Sequence, residues 1–207
     1  MHNEGILFLK SFCDFSNPNW VWILTGLDRP KENEKSIFFK RYILTNFDDI
    51  EKYYNECLCL MNRNPQRIYR IYISLNPRDT LKTFINIQKE FVNILNNLLV
   101  LKNTEKDFQN ICSLWYKELS QSRNRGDKRF LLDIDTNDLD SVKKINDKFR
   151  DLNISVLFKR QTVNGYHYVF DACDTRELIS FCAKEELDVQ LIRDGMVFVE
   201  RYCPDFK

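Results

Sequence analysis

The chain has 207 residues, enough for one large domain or two small lobes around a sizeable core. Its 31 basic and 30 acidic residues leave a net charge of +1, which excludes a polyanion binder working through overall charge; a nucleic acid must be met by a local patch. The seven cysteines are odd in number, lack a C-x-x-C spacing and accompany only two histidines, His2 and His167, so buried free thiols are expected instead of a disulfide framework or a Cys/His zinc site.

The first 120 residues read as a mixed α/β lobe. "NWVWILTG" (19–26) and "SIFFKRYI" (36–43) are expected strands, joined by the charged loop "LDRPKENEK" (27–35). "FDDIEKYYNECLCLM" (47–61) is a helix with Asn46 or Asp48 as its cap. Cys57 and Cys59 fall within it and face apart. "RIYRIYIS" (67–74) alternates as a strand does, and "NPRD" turns the chain into a long helix from about Thr80. Leu81, Phe84, Ile85, Phe91, Val92 and Leu95 keep an i, i+3/i+4 rhythm there, broken only at Gln88. A second helix carries Ile111, Leu114, Trp115 and Leu119, and the polar, basic "SQSRNRGDKR" (120–129) marks a boundary between lobes 1–125 and 126–207. No apolar run is long enough to span a bilayer and no secretory leader is seen. A cytoplasmic protein without membrane partners is expected, acting in the host cell interior if viral.

The last 80 residues alternate strand and helix. "KRFLLDID" (128–135) is a strand, and "DSVKKINDKFRDL" is a helix capped by Asp138 or Asp140, with Val142, Ile145, Phe149 and Leu152 on one stripe. "ISVLFKRQTV" and "YHYVFDA" are strands turned by Asn164-Gly165, the pair favoured in a two-residue type I′ turn. "DTRELISFCAKEE" opens on a capping box from Asp174 to Glu177, and "LDVQLIR" and "MVFVERY" read as a closing hairpin through Asp194-Gly195. The expected fold class is therefore α+β: an RRM-like (ferredoxin-like βαββαβ) lobe on the C-terminal side, of sheet order 4-1-3-2, behind a mixed N-terminal lobe.

That topology places the polar residues. On the first strand of the lobe, Phe130, Leu132 and Ile134 should face the two helices, which puts Leu131, Asp133 and Asp135 on the other face. A two-residue turn pairs Thr162 with His167 and Arg160 with Val169, all on one face. Asp188 shares a face with Gln190, Ile192, Val197 and Arg201. If these faces coincide, three carboxylates and an imidazole converge; a slip of one residue would send His167 into the core. Carboxylates so gathered need a counter-charge, and oxygen-only ligands suit Mg²⁺ or Mn²⁺. Beside His167, Arg160 and Lys159, such a site suits nucleoside triphosphates.

The motifs "LLDID" (Asp133, Asp135), "GYH" (His167) and "LD" (Asp188) resemble those of the archaeo-eukaryotic primase superfamily, whose catalytic lobe is RRM-like. "YISLNPRD" (72–79) is also similar to the strand and turn preceding that lobe in some viral and plasmid members. The resemblance covers residues 128–201 and implies a primase or small primase-polymerase. Asp133, Asp135 and Asp188 would bind two catalytic metals, and His167 would contact the phosphates of the incoming nucleotide, with Arg160, Lys159 and Gly165 beside it. Gly165 stands where many members carry serine. The implied partners are nucleoside triphosphates, a single-stranded DNA template, and a helicase or a larger primase subunit. Arg70 and Arg78 are candidates to lead template or primer through phosphate contacts. Plainer readings stand beside these: a strand-end turn and helix caps for the aspartates, a surface hairpin for His167, solvated charge for the arginines and lysine. A non-catalytic RRM-like nucleic-acid-binding replication accessory protein and a metal-dependent nuclease are the alternative functions.

Overall fold

A computed structural model describes residues 3–28, 37–63, 67–101 and 113–202. Most of the loop expected at 27–35, and Ile111 of the second expected helix, lie outside the described residues. Strand β1 (Trp20–Asp28) is buried continuously from Val21 to Asp28, and its apolar run Trp20–Leu24 reflects the covering of both of its faces. On one face Trp22 and Leu24 join Tyr69, Ile71 and Ile73 of β3 (Tyr69–Ser74) beneath helices α1 (Asn3–Phe12) and α2 (Phe47–Met61). On the other, Val21 and Ile23 pack under Leu119 of a helix over 113–119, α4. Helix α1 is not among the expected elements, although Ile6, Leu9 and Phe12 keep a helical spacing and are buried. Asn46 caps α2 by accepting from the Asp49 amide.

Strand β2 (Ile37–Leu44) pairs with β1, the two-residue β4 (Arg78–Asp79) adds to the other end of β1, and helix α3 (Thr80–Leu101) follows. The apolar rhythm of α3 is real, but it faces away from the core. Leu81, Phe84, Ile85, Val92 and Leu95 are exposed, while Thr83 and Ile87 are buried and Asn86 donates to Asn124. Among the described residues no helix is long and apolar enough to cross a membrane.

The second sheet is built from β5 (Arg129–Ile134), β6 (Val156–Gln161), β7 (Tyr166–Asp171) and β8 (Val189–Ile192), in the antiparallel order β6-β7-β5-β8. Helices α5 (Leu139–Asp151) and α6 (Arg176–Lys184) cover one face, where Ile145, Phe149, Leu178 and Cys182 pack on Leu132, Ile134, Tyr168 and Phe170. Asp138 caps α5 through the Ser141 amide. The expected capping box of α6 does not form: Glu177 turns to Lys148 at 2.6 Å, and Asp174 is held by Arg176.

The last strand departs most from expectation. β9 (Met196–Tyr202) leaves β8 and pairs with β3, so the expected closing hairpin is replaced by a crossing from the second sheet to the edge of the first. The first sheet thus runs β2-β1-β3-β9. Val197 therefore joins the first sheet's core instead of sharing a face with Asp188. The 120–129 connection is also tied down. The Gly126 amide donates to Pro77 O at 2.8 Å, and Ser122 Oγ donates to Asp194 at 2.6 Å. Arg78 grips both oxygens of Asp194 at 2.9 and 3.1 Å.

Candidate active site

β5 alternates as predicted: Leu132 and Ile134 are buried toward α5 and α6, which puts Leu131, Asp133 and Asp135 on the opposite face. That face is not open along its whole length. Leu131 and Val169 are fully buried in the core of the first sheet, with Phe158 and Ile192 packed beside them. Only the end of the face carrying the aspartates looks into a cleft, about 420 Å³ in volume, whose far wall is Leu27, Arg70, Tyr72, Met196 and Phe198 of the first sheet.

The register sets the polar groups. Asp133 lies directly opposite His167 on β7 and opposite Gln190 on β8. The Asp135 amide donates to Asp188 O at 3.0 Å, so these two residues are neighbours at the ends of their strands. His167 Nε2 stands 3.3 Å from Asp133 Oδ1. Its Nδ1 accepts the amide of Phe198, on β9 of the other sheet, at 3.1 Å. A ring nitrogen that accepts carries no proton, so the imidazole proton of this tautomer sits on Nε2, toward the carboxylates. Burial and the charges of Asp133 and Asp188 raise the pKa of Asp135 above the ordinary carboxylate range, against a lowering by His167.

The turn before His167 differs from the expected type I′. Arg160 pairs with His167 and Phe158 with Val169, leaving a four-residue loop, 162–165. Its ends are closed by the Thr162 amide on Gly165 O, at 2.8 Å, and the Gly165 amide on Thr162 Oγ1, at 3.1 Å. No described glycine has the positive φ that a type I′ turn demands. The two-residue shift of register keeps His167 on its face. Gly165 is needed for space: an added Cβ would lie 1.8 Å from Ile134 O and 2.9 Å from Thr136 N. The missing side chain lets the start of β7 press against the end of β5, where the aspartates stand.

The remaining candidates divide. Arg70 comes to the cleft, with its Nε buried and making no hydrogen bond, and lies opposite Arg201 across β3 and β9. Arg78 does not: it is 4% exposed and bound to Asp194. Lys159 lies over the rings of Tyr166 and Tyr168 at 4.5 and 4.9 Å, on the helix-facing side of the sheet. Arg160 is on the His167 face, but its guanidinium is turned to Val199 O and Glu4. A larger concavity of about 660 Å³, around Asn153, Cys173, Asp174 and Arg176, lies at the other end of this sheet, away from the aspartates. Sequence reasoning missed Phe198 and Tyr72, whose rings meet edge-on at 5.8 Å in the cleft wall. Neither belongs to a motif, and the partner of β9 is a long-range choice.

Among the described residues no three His, Cys, Asp or Glu side chains already stand close enough to hold a metal ion. Alternate residues of a strand are ~6.7 Å apart along it, and uncompensated carboxylates repel. The donor set is nevertheless all oxygen, with Asp133 and Asp135 lining the cleft and Asp188 exposed beside it, which suits a hard divalent cation. Comparison of the chain with protein-family models, curated proteins and solved structures returns no match.

Proposed function

We propose that this protein is a template-dependent nucleotidyltransferase, a primase or small primase-polymerase, whose second sheet and its two helices form an RRM-like catalytic lobe. The strand order β6-β7-β5-β8, with both helices on one face, agrees with the split β-α-β plan and supports that reading of the lobe. The observation that carries the function is the register: Asp133 opposite His167 in one cleft with Asp135, whose main-chain neighbour Asp188 is exposed beside that cleft. In this reading Asp133, Asp135 and Asp188 hold Mg²⁺ or Mn²⁺, which when bound favours ionisation of an attacking 3′-hydroxyl and offsets charge on the leaving pyrophosphate. His167 presents Nε2–H as a donor to a phosphate oxygen, held in that orientation by the Phe198 amide. Arg70 supplies a cation across the cleft, and its unmatched Nε supports a phosphate of template or primer as its partner. A single-stranded DNA template, and a helicase or larger subunit that delivers it, are the partners this function requires.

The test is incorporation of nucleoside triphosphates on a primed or unprimed single-stranded template, with Mg²⁺ or Mn²⁺. The wild type is compared with Asp133→Ala combined with Asp135→Ala. Extension by the wild type alone, abolished by chelator, is the expected outcome. Equal behaviour of the two proteins, or no extension with either metal, sinks the proposal. Strand degradation in place of extension would assign the same carboxylates to a nuclease. Strand binding indifferent to chelator and to both substitutions would point to a non-catalytic accessory protein.

A further inference from the structure

Strand β9 carries a bulge beside the site. Its pairing with β3 runs Ile71–Glu200 and then Tyr72–Phe198, so Val199 is an extra residue without a partner on β3. A bulge re-aims side chains and leaves main-chain groups free of the ladder. Here two main-chain groups of the bulge are met by the second sheet. The Phe198 amide donates to His167 Nδ1 at 3.1 Å, while Val199 O accepts from Arg160 Nε at 3.0 Å and Nη2 at 2.6 Å. Arg160 and His167 are themselves opposite one another on β6 and β7. The guanidinium is then locked on its other sides: Nη1 donates to Glu4 at 2.9 Å, and the group lies 5.2 Å from the centre of the Phe8 ring.

We propose that Arg160 is a positioning residue for His167. By holding the Val199 carbonyl it sets the bulge, the bulge sets the Phe198 amide, and the amide keeps the imidazole proton on Nε2, facing Asp133 and the cleft. The pair Arg160 and His167 therefore reads the docking of the first sheet onto the second, and the donor is oriented only when the two sheets are docked. The consequence for nucleotide binding rests on the function proposed above; the tautomer itself does not. A planar fork that meets one carbonyl with two donors is a task for arginine and not for lysine.

The test is the long-range ¹H–¹⁵N spectrum of the histidine side chains, which is simple because the chain has only two histidines. His167→Asn identifies the signals. Wild-type His167 should show the Nε2–H tautomer, whereas Arg160→Ala should show both tautomers averaged. In the same variant the nucleotide KM should rise about tenfold, the loss of one hydrogen bond, with kcat changed less. Arg160→Lys, which keeps the charge and one bond to Val199, should fall between, and it replaces the alanine variant if that one does not fold. An unchanged tautomer in a folded Arg160 variant overturns the proposal. It does so even if KM rises, since Arg160 would then touch the nucleotide directly. A wild type without transfer activity but with the tautomer shift in Arg160→Ala overturns the proposed function and leaves this inference standing.

Discussion

Asp194 and the trio Asp133, Asp135 and Asp188 stand at opposite ends of the paired strands β5 and β8, and the fold treats them in opposite ways. Burial would raise the pKa of Asp194, but donation from Arg78 and Ser122, the charge of Arg78 and the amide of Asn76 outweigh it and hold the carboxyl below the usual range. At the other end, burial and two neighbouring carboxylates raise Asp135, and only His167 opposes them. A carboxylate closed in by donors is a structural joint: Asp194 ties the NPRD turn, the 122–124 turn and the β8–β9 link together. Carboxylates left to repel one another at a cleft mouth cost stability, and a bound cation would reverse that cost.

The largest test of this contrast is Arg78→Ala. It strands Asp194 in the interior and should lower stability by about 3–5 kcal/mol, read from the midpoint of urea unfolding. A loss no larger than that of a surface substitution would show that Asp194 is not a structural joint. Next comes Gly165→Ala, where the new methyl meets the Ile134 carbonyl. A cost of about 1–3 kcal/mol is expected, as for overpacking, together with loss of the proposed transfer activity as β7 shifts on β5. Full activity in that variant would show that the Asp133–His167 register is not needed.

The smallest effect is read through pH. Asp135 has a raised folded-state pKa, so its repulsion is absent below the carboxylate range and present in full above the folded-state value. Asp135→Asn should therefore raise the melting temperature slightly at pH 8 and have no such effect near about pH 3. Asp194, with a lowered pKa, behaves in reverse. Its contribution is present above the ordinary carboxylate range and is lost as pH falls through the folded value, so Asp194→Asn should flatten the acid limb of the stability curve. Parallel pH profiles for the two variants would count against the distinction.

What could be read from residues alone was what depends on local period and short-range chemistry. The alternation of "RFLLDI" sorted Asp133 from Leu132 before any neighbour was known, because a strand has only two faces. Short polar side chains at helix starts narrowed the caps to Asn46 or Asp48 and to Asp138 or Asp140, and the first of each pair does the capping. The face of His167 survived a misread turn, since a two-residue error in register does not change sides. Choices between distant partners were not legible. Nothing in "MVFVERY" says that it will leave its sequence neighbour for β3, because both edges offer the same backbone donors and acceptors. Arg70 and Arg78 look alike in the sequence. Tertiary structure placed one in the cleft and the other on Asp194, a residue more than a hundred positions away. Arg160 was a plausible phosphate ligand by type and face, yet the bulge that engages it exists only where two sheets meet. Side-chain alternation is written in the chain, whereas the partners of its charges are decided by packing, where burial makes each unmatched charge costly.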